Sequence, residues 1–282
     1  MELEDLLRLE RSDFAEMVAG LAPDEWARPS LCAGWTVKDV VGHVLANDEV
    51  GMFGYVGGVV RAGLRPARYT EAVRRRWRER EPDQIVAFAR GLDHPRAMAK
   101  SMFKYSPLIL FTETFVHQQD VRRVIGWGRE VDEDRMVAVL DAMVHTSAGV
   151  RARRRVAGLR VRATDVDYVS GAPIGKGAEV YGPAEVLVMT IAGRVVDPGA
   201  LGGDGARVLL DRVTGAAARV ADSHEGNHAT RPTRPRRRTA LLQELSNQSA
   251  RLRTRLSRRP SDATLGVASD GEDTAEQRPI PV

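Results

Sequence analysis

Apolar residues along most of the chain recur at three- and four-residue steps, the period of an amphipathic helix. Leu6, Leu7, Phe14, Val18 and Leu21 predict a first helix over residues 3–21. A second starts at Thr36, where Asp39 three positions later completes a capping box ahead of Val40, Val41, Val44 and Leu45, and it is expected to run into the glycine-rich stretch 51–63. A third fits residues 70–90. The fourth spans 108–125, with Leu108, Phe111, Phe115, Val121 and Ile125 on its apolar stripe and Pro107 in its first turn, and a fifth fits 132–150. Short links between these segments suit an up-and-down bundle. Near Arg153 the pattern changes: Leu159 to Arg162 alternates apolar and basic, as a half-buried strand does, and Gly182-Pro183 opens a helix that ends near Gly193.

Beyond residue 221 the apolar signal fades. RPTRPRRR at 231–238 has too few apolar groups to bury, although Leu242, Leu245, Leu252 and Leu256 fall on a short heptad seam between Thr239 and Arg258. Three segments are therefore expected: a helical bundle over 1–152, a small α+β domain over 153–221, and a basic, largely disordered tail over 222–282.

The charge distribution sharpens that division. The net charge is +4 over 282 residues, but residues 223–282 alone hold 11 Arg against 7 Asp plus Glu, so the remainder is balanced. Nucleic-acid contact is expected only through the tail, since such binding needs concentrated positive charge. No apolar run is long enough to span a bilayer, and the acidic start MELEDLLRLE lacks the features of a secretory signal, so a cytoplasmic location is expected. The single cysteine, Cys32, excludes an internal disulfide framework and any Cys-rich zinc finger.

Candidate chemistry lies in two of the helices. Glu113 and His117 are four residues apart in ETFVHQQD, so they leave one helix face a turn apart, and His43 lies in CAGWTVKDVVGHV on another helix. Two imidazoles and a carboxylate make a three-ligand metal set with an open coordination position, as catalytic zinc has. Taken singly, an E-x3-H pair also decorates solvent-facing helices, and a histidine among valines also serves as a core residue. Asp120, three residues after His117, suits a role holding a ligand in place or an ion pair with Arg123.

The stretch LAPDEWARPSLCAGWTVKDVVGHVL (21–45), with ETFVHQQDVRRVIG (113–126), resembles the N-terminal metal-binding domain of the mycothiol-dependent maleylpyruvate isomerase family. LRVRATDVDY, EVYGPAEVLVMTIAGR and LGGDGARVLL are similar to its smaller C-terminal domain, so the resemblance covers roughly the first 215 residues. It implies a mainly α protein: a DinB-like four-helix bundle, then a small α+β domain. It also implies zinc, or another divalent metal, held by His43, Glu113 and His117 with water as fourth ligand. Mycothiol, an actinobacterial thiol, is the implied co-substrate, and Arg194 is implied to help bind an acidic substrate or the thiol. Trp35 could line the site beside the metal or simply pack.

These readings converge on a zinc- and mycothiol-dependent isomerase or thiol S-transferase acting on an electrophilic or diacid substrate. The alternative is a non-catalytic metal-binding or regulatory protein. A third user of two histidines and a carboxylate, the non-haem iron oxygenase, usually sits on a β-barrel, for which this chain lacks the strands.

Overall fold

The computed structural model describes residues 1–92, 94–145 and 152–225. Its first helix, α1 (Leu3–Gly20), turns Leu3, Leu6, Leu7, Phe14, Met17 and Val18 inward. Helix α2 (Val37–Glu49) begins at the anticipated capping box: Thr36 Oγ1 accepts from the Asp39 N–H at 3.3 Å, and Asp39 Oδ2 accepts from the Thr36 N–H at 2.9 Å.

The next two predicted helices are each broken. Val50 is extended (φ −108°, ψ 118°), which ends α2, and α3 (Met52–Arg61) starts afresh from Gly51. The helix expected over 70–90 is two: α4 (Pro66–Arg78) and α5 (Pro82–Ala89), because Pro82 has no N–H to continue the ladder and holds Glu81 extended. A short α6 (Ala97–Tyr105) was not foreseen.

Helix α7 (Pro107–Ile125) keeps the predicted proline in its first turn and closes on Gly126, whose φ of 79° suits glycine, while the Trp127 N–H donates to the Arg122 carbonyl at 2.9 Å. Helix α8 (Glu133–His145) follows, starting one residue later than predicted, and residues 146–150 of the predicted fifth helix lie outside the described residues.

Helix α7 is the central element, packing on α1, α2 and α8, which complete the bundle with it. Gly42 in α2 explains one close approach: a Cβ there would lie 2.6 Å from Trp77 Cβ on α4, so only glycine admits the buried indole.

The C-terminal part opens with α9 (Ala152–Val156) and a three-stranded sheet of β1 (Arg160–Ala163), β2 (Val169–Gly171) and β3 (Glu179–Gly182). Strand β1 lies between the other two, antiparallel to β2 and parallel to β3. Its alternation is as expected: Val161 and Ala163 are buried, while Arg160 and Arg162 turn to Glu179. Helix α10 (Ala184–Ala192) follows Pro183 and ends at Gly193, as read from the sequence. The GGDGA run forms the entry to α11 (Asp204–Glu225), with Gly202 bridged to Tyr181. The anticipated boundary at 221 thus falls inside a helix, and the basic run and heptad seam of the tail lie outside the described residues.

Two apolar clusters hold these parts together. One gathers Phe14, Val40, Val44, Trp77, Ile85 and Val121 between α1, α2, α4, α5 and the C-terminal half of α7. The other runs without interruption from Leu3, Phe111, Phe115 and Leu140 through Val161, Leu187, Met189 and Leu209. The α+β part therefore shares its core with α7 and α8, and α10 packs directly on both helices.

Candidate metal centre

Four segments meet at the C-terminal half of α7. Helix α2 supplies His43, α7 supplies Glu113, His117 and Asp120, the turn before α2 supplies Cys32 and Trp35, and the residue after the α10 cap supplies Arg194. The His43 and His117 rings stand edge to face with centroids 5.0 Å apart, and Trp35 stands edge to face with His43 at 5.3 Å. Behind Trp35, the Arg74 guanidinium lies 5.5 Å over the indole.

His117 is held from behind. Its Nδ1 lies 2.9 Å from Asp120 Oδ2, a contact its place one turn earlier on α7 makes natural. Asp120 is fully buried and is gripped by a fork: Arg194 Nε donates to Oδ1 at 2.9 Å and Nη2 to Oδ2 at 2.6 Å, while Nη1 donates to the Ala192 carbonyl at 3.1 Å. The Cys32 thiol closes the group, donating to Asp120 Oδ2 at 3.1 Å and accepting from Arg194 Nη2 at 3.3 Å, with its sulfur 3.8 Å from His117 Nδ1.

The electrostatics follow from this wiring. Burial, reinforced by the charge on His117, pushes His43 down to about 3, so it is neutral. Burial opposes the charged form of His117 too, but the hydrogen bonds to Asp120 and Cys32 outweigh it and hold its pKa up at about 9. Asp120 is held at about 2, burial being overcome by His117 and Arg194. Glu113 is raised by burial, with His117 pulling the other way. Neither the Glu113 carboxylate nor the His43 ring nitrogens have a hydrogen-bond partner among the described residues.

Among the described residues one donor set is gathered: Cys32, His117 through Nδ1, and Asp120, whose donor atoms all lie within 4.8 Å of one another. The set read from the sequence, His43, Glu113 and His117, is not drawn together to that distance; it shares His117 with the first through Nε2, the nitrogen not taken by Asp120. Cys32 entered the sequence reading only as proof against disulfides. Its position in the same CAGWT turn as Trp35 was the available sign that it sits here. The alternative partner considered for Asp120, Arg123, instead pairs with Glu185 on α10. Arg194 meets the site rather than solvent; only 16% of its side chain is exposed.

Residues 7–99 match the family described as "Mycothiol maleylpyruvate isomerase N-terminal domain", a span that includes His43 and ends before Glu113 and His117. The match covers the first part of the bundle, through α5 and into the start of α6. Among solved structures, the crystal structure of the mycothiol-dependent maleylpyruvate isomerase superposes with a TM-score of 0.51 at 16% identity, covering 72% of this chain and 92% of that one. A mutant of the same enzyme superposes with a TM-score of 0.50 over the same shares. The fold is thus the DinB-like bundle followed by a small α+β domain. Uncharacterized proteins from two strains of Mycobacterium tuberculosis are 24% identical over 224 residues, covering 75% of this chain and 79% of each relative.

Proposed function

Starting from a bundle whose first part matches this domain, we propose that the chain is a metal-dependent enzyme using a low-molecular-weight thiol, mycothiol by family analogy, as an isomerase or S-transferase. The observation that carries this reading is the pair of half-buried donors, His43 and Glu113, left without hydrogen bonds beside a histidine whose other nitrogen is already engaged. Both side chains are only half-buried, and their polar atoms are not sealed from solvent, so they stay open to an incoming ion. A divalent ion at His43, Glu113 and His117 Nε2 would give both a partner.

The rival set fits a metal poorly. Arg194 Nη2 already sits 2.6 Å from Asp120 Oδ2 and 3.3 Å from Cys32 Sγ, so an ion there would meet a guanidinium. The Nδ1–Oδ2 distance of 2.9 Å is that of a hydrogen bond. Two tetrahedral zinc ligands with bonds of ~2.1 Å stand ~3.4 Å apart. We read Cys32, Asp120 and Arg194 as the frame that orients His117.

Zinc or another divalent ion bound by the first set would supply an open position at which an external thiol is acidified to its thiolate. The chain's own residues prepare that position. Asp120 fixes the His117 ring so that Nε2 is the nitrogen left for an ion, in exchange for the proton held there below about pH 9, and Arg194 keeps Asp120 ionised and stationary, so the ligand cannot rotate away. His43 stays neutral and thus available as a ligand over the working pH range. Trp35 walls the His43 side and excludes water from it. With its three donor nitrogens engaged, Arg194 acts through Asp120; binding an acidic substrate or the thiol would require it to release that carboxylate.

One observation favours a non-catalytic reading: Cys32 stands close enough to His117 to serve as a protein ligand, and a metal closed by protein groups would only brace the bundle. Elemental analysis separates the two. The enzymatic reading expects one divalent ion per chain, retained in Cys32→Ser and lost in His43→Ala. It also expects a sulfur-to-metal charge-transfer band when mycothiol is added to the cobalt form, and turnover of an electrophile or cis-diacid panel. Metal lost with Cys32→Ser and kept in His43→Ala would establish the brace.

A further inference from the structure

On α3 and α4, which pack on one another, the chain carries a surface that the metal centre does not use. On α3, Phe53, Val56 and Val60 follow one another at three- and four-residue steps and so share a face, and all three are exposed, Phe53 by 95%. Leu64 continues the apolar run in the turn that follows, 74% exposed and in the left-handed region at φ 59°, where glycine is favoured over a branched residue. The hairpin is nonetheless well fixed: Tyr55 and Tyr69 pack edge to face at 5.1 Å, and Gly58 leaves room for Tyr69, whose Cε2 a Cβ would approach to 2.3 Å.

Beside this apolar run lies unspent positive charge. Residues 51–80 contain eight arginines and two glutamates. Arg74, Arg76, Arg78 and Arg80 are paired with Glu71, Glu49, Asp39 and Glu49. Arg65, Arg68 and Arg75 are exposed and have no ion pair among the described residues. A second copy of this chain is a poor occupant, because a two-fold interface would set these arginines against their own counterparts. The chain's own residues 226–282 are a poor occupant for the same reason, with 11 arginines against 6 acidic residues. Nucleic acid would leave Val56, Val60 and Leu64 without partners, since aliphatic side chains offer bases no stacking face. An anionic bilayer answers both halves: apolar side chains enter the acyl boundary and the arginines meet lipid phosphates.

We propose that the α3–α4 hairpin is a peripheral docking surface for a bilayer rich in anionic phospholipid. The test is co-sedimentation of the metal-loaded full chain with phosphatidylglycerol–phosphatidylcholine vesicles and with pure phosphatidylcholine vesicles. Binding is expected only to the former and should weaken as salt rises. Phe53→Ser with Leu64→Ser should lower partitioning by about tenfold or more, and Arg65→Glu, Arg68→Glu and Arg75→Glu together by on the order of a hundredfold. Metal content and thermal midpoint should stay unchanged, since every altered side chain is exposed. The proposal is overturned if the unaltered chain ignores anionic vesicles, or if both sets of variants bind them as it does, which would assign binding elsewhere. It is equally overturned if the chain runs as a dimer that Phe53→Ser with Leu64→Ser converts to a monomer, which would make the apolar face a self-interface.

Discussion

Two of the buried ionic groups among the described residues differ in what is left over. Where α1 meets α8, Glu10 accepts from Arg129 at 2.9 and 2.5 Å, while Asp13 accepts from Arg129 at 2.9 Å and from Arg135 at 2.7 Å. Every charge there touches an opposite one, although Arg129 Nε and Arg135 Nε are buried without an acceptor, and the group joins α1 to α8 and the loop before it. At the C-terminal half of α7, Asp120 and Arg194 are as thoroughly paired, yet His43 and Glu113 beside them are not. Matched charge serves packing, whereas half-buried donors left without a protein partner and still open to solvent suit a ligand.

The comparison breaks most visibly on the matched side. Arg129→Ala leaves Glu10 fully buried with only Arg135 near it, at 3.7 Å, and stripping one partner from a buried pair typically costs about 3–5 kcal/mol. Calorimetry should show the thermal midpoint falling steeply while metal stoichiometry, measured on folded protein, stays at one. His117→Ala should do the reverse, reducing bound metal at least tenfold and lowering the midpoint of the metal-free protein far less than Arg129→Ala. If His117→Ala keeps its metal, the unmatched donors have some other purpose.

A subtler intervention acts through the frame. Asp120→Asn keeps the shape but removes the charge, and loss of a partner behind a ligating histidine commonly costs 10–100-fold in metal affinity. The same change alters how the metal-free protein responds to pH. His117 is raised from 6.5 to about 9, so its stabilising contribution is complete below 6.5 and is lost as pH rises through about 9. Metal-free protein should therefore weaken over that alkaline interval, and Asp120→Asn should flatten the slope. NMR titration of the His117 ring checks it directly: an unmoved pKa in Asp120→Asn would show that Asp120 is not what holds the proton.

How far the sequence went follows from where each constraint resides. The helix faces of α1, α2 and α7, the capping box at Thr36 and the proline and glycine that bound α7 are local, and local periodicity carries them. The spacing of Glu113, His117 and Asp120 is local too. What joins α2 to α7 is not: nothing within CAGWTVKDVVGHV requires its histidine to stand 5.0 Å from His117, and family resemblance supplied that link. Arg194 reaching back to Asp120 is a contact across 74 residues, set by α10 docking on α7, and periodicity cannot see it. The break at Val50 was hidden for a different reason: the apolar pattern runs on across it, and a helical period says nothing of one residue turning extended. The break at Pro82 was legible, since a proline inside a helical pattern ends the helix at the residue before it.

The smallest expected effect decides between a frame and a ligand. Cys32 is half-buried, and its sulfur touches Asp120 and Arg194, both of which have stronger partners in each other. Serine keeps a donor and an acceptor at that position on a slightly shorter arm, so Cys32→Ser should preserve the Asp120–Arg194 fork. A neutral hydrogen bond is worth about 1 kcal/mol net. The midpoint should therefore move by no more than a few degrees, and metal affinity by less than tenfold. Were Cys32 a ligand instead, exchanging a thiolate for a hydroxyl would strip the ion away as thoroughly as His117→Ala does. Metal titration of the two variants side by side gives the answer: similar losses place the ion against the cysteine, and a large loss in His117→Ala alone places it toward His43 and Glu113.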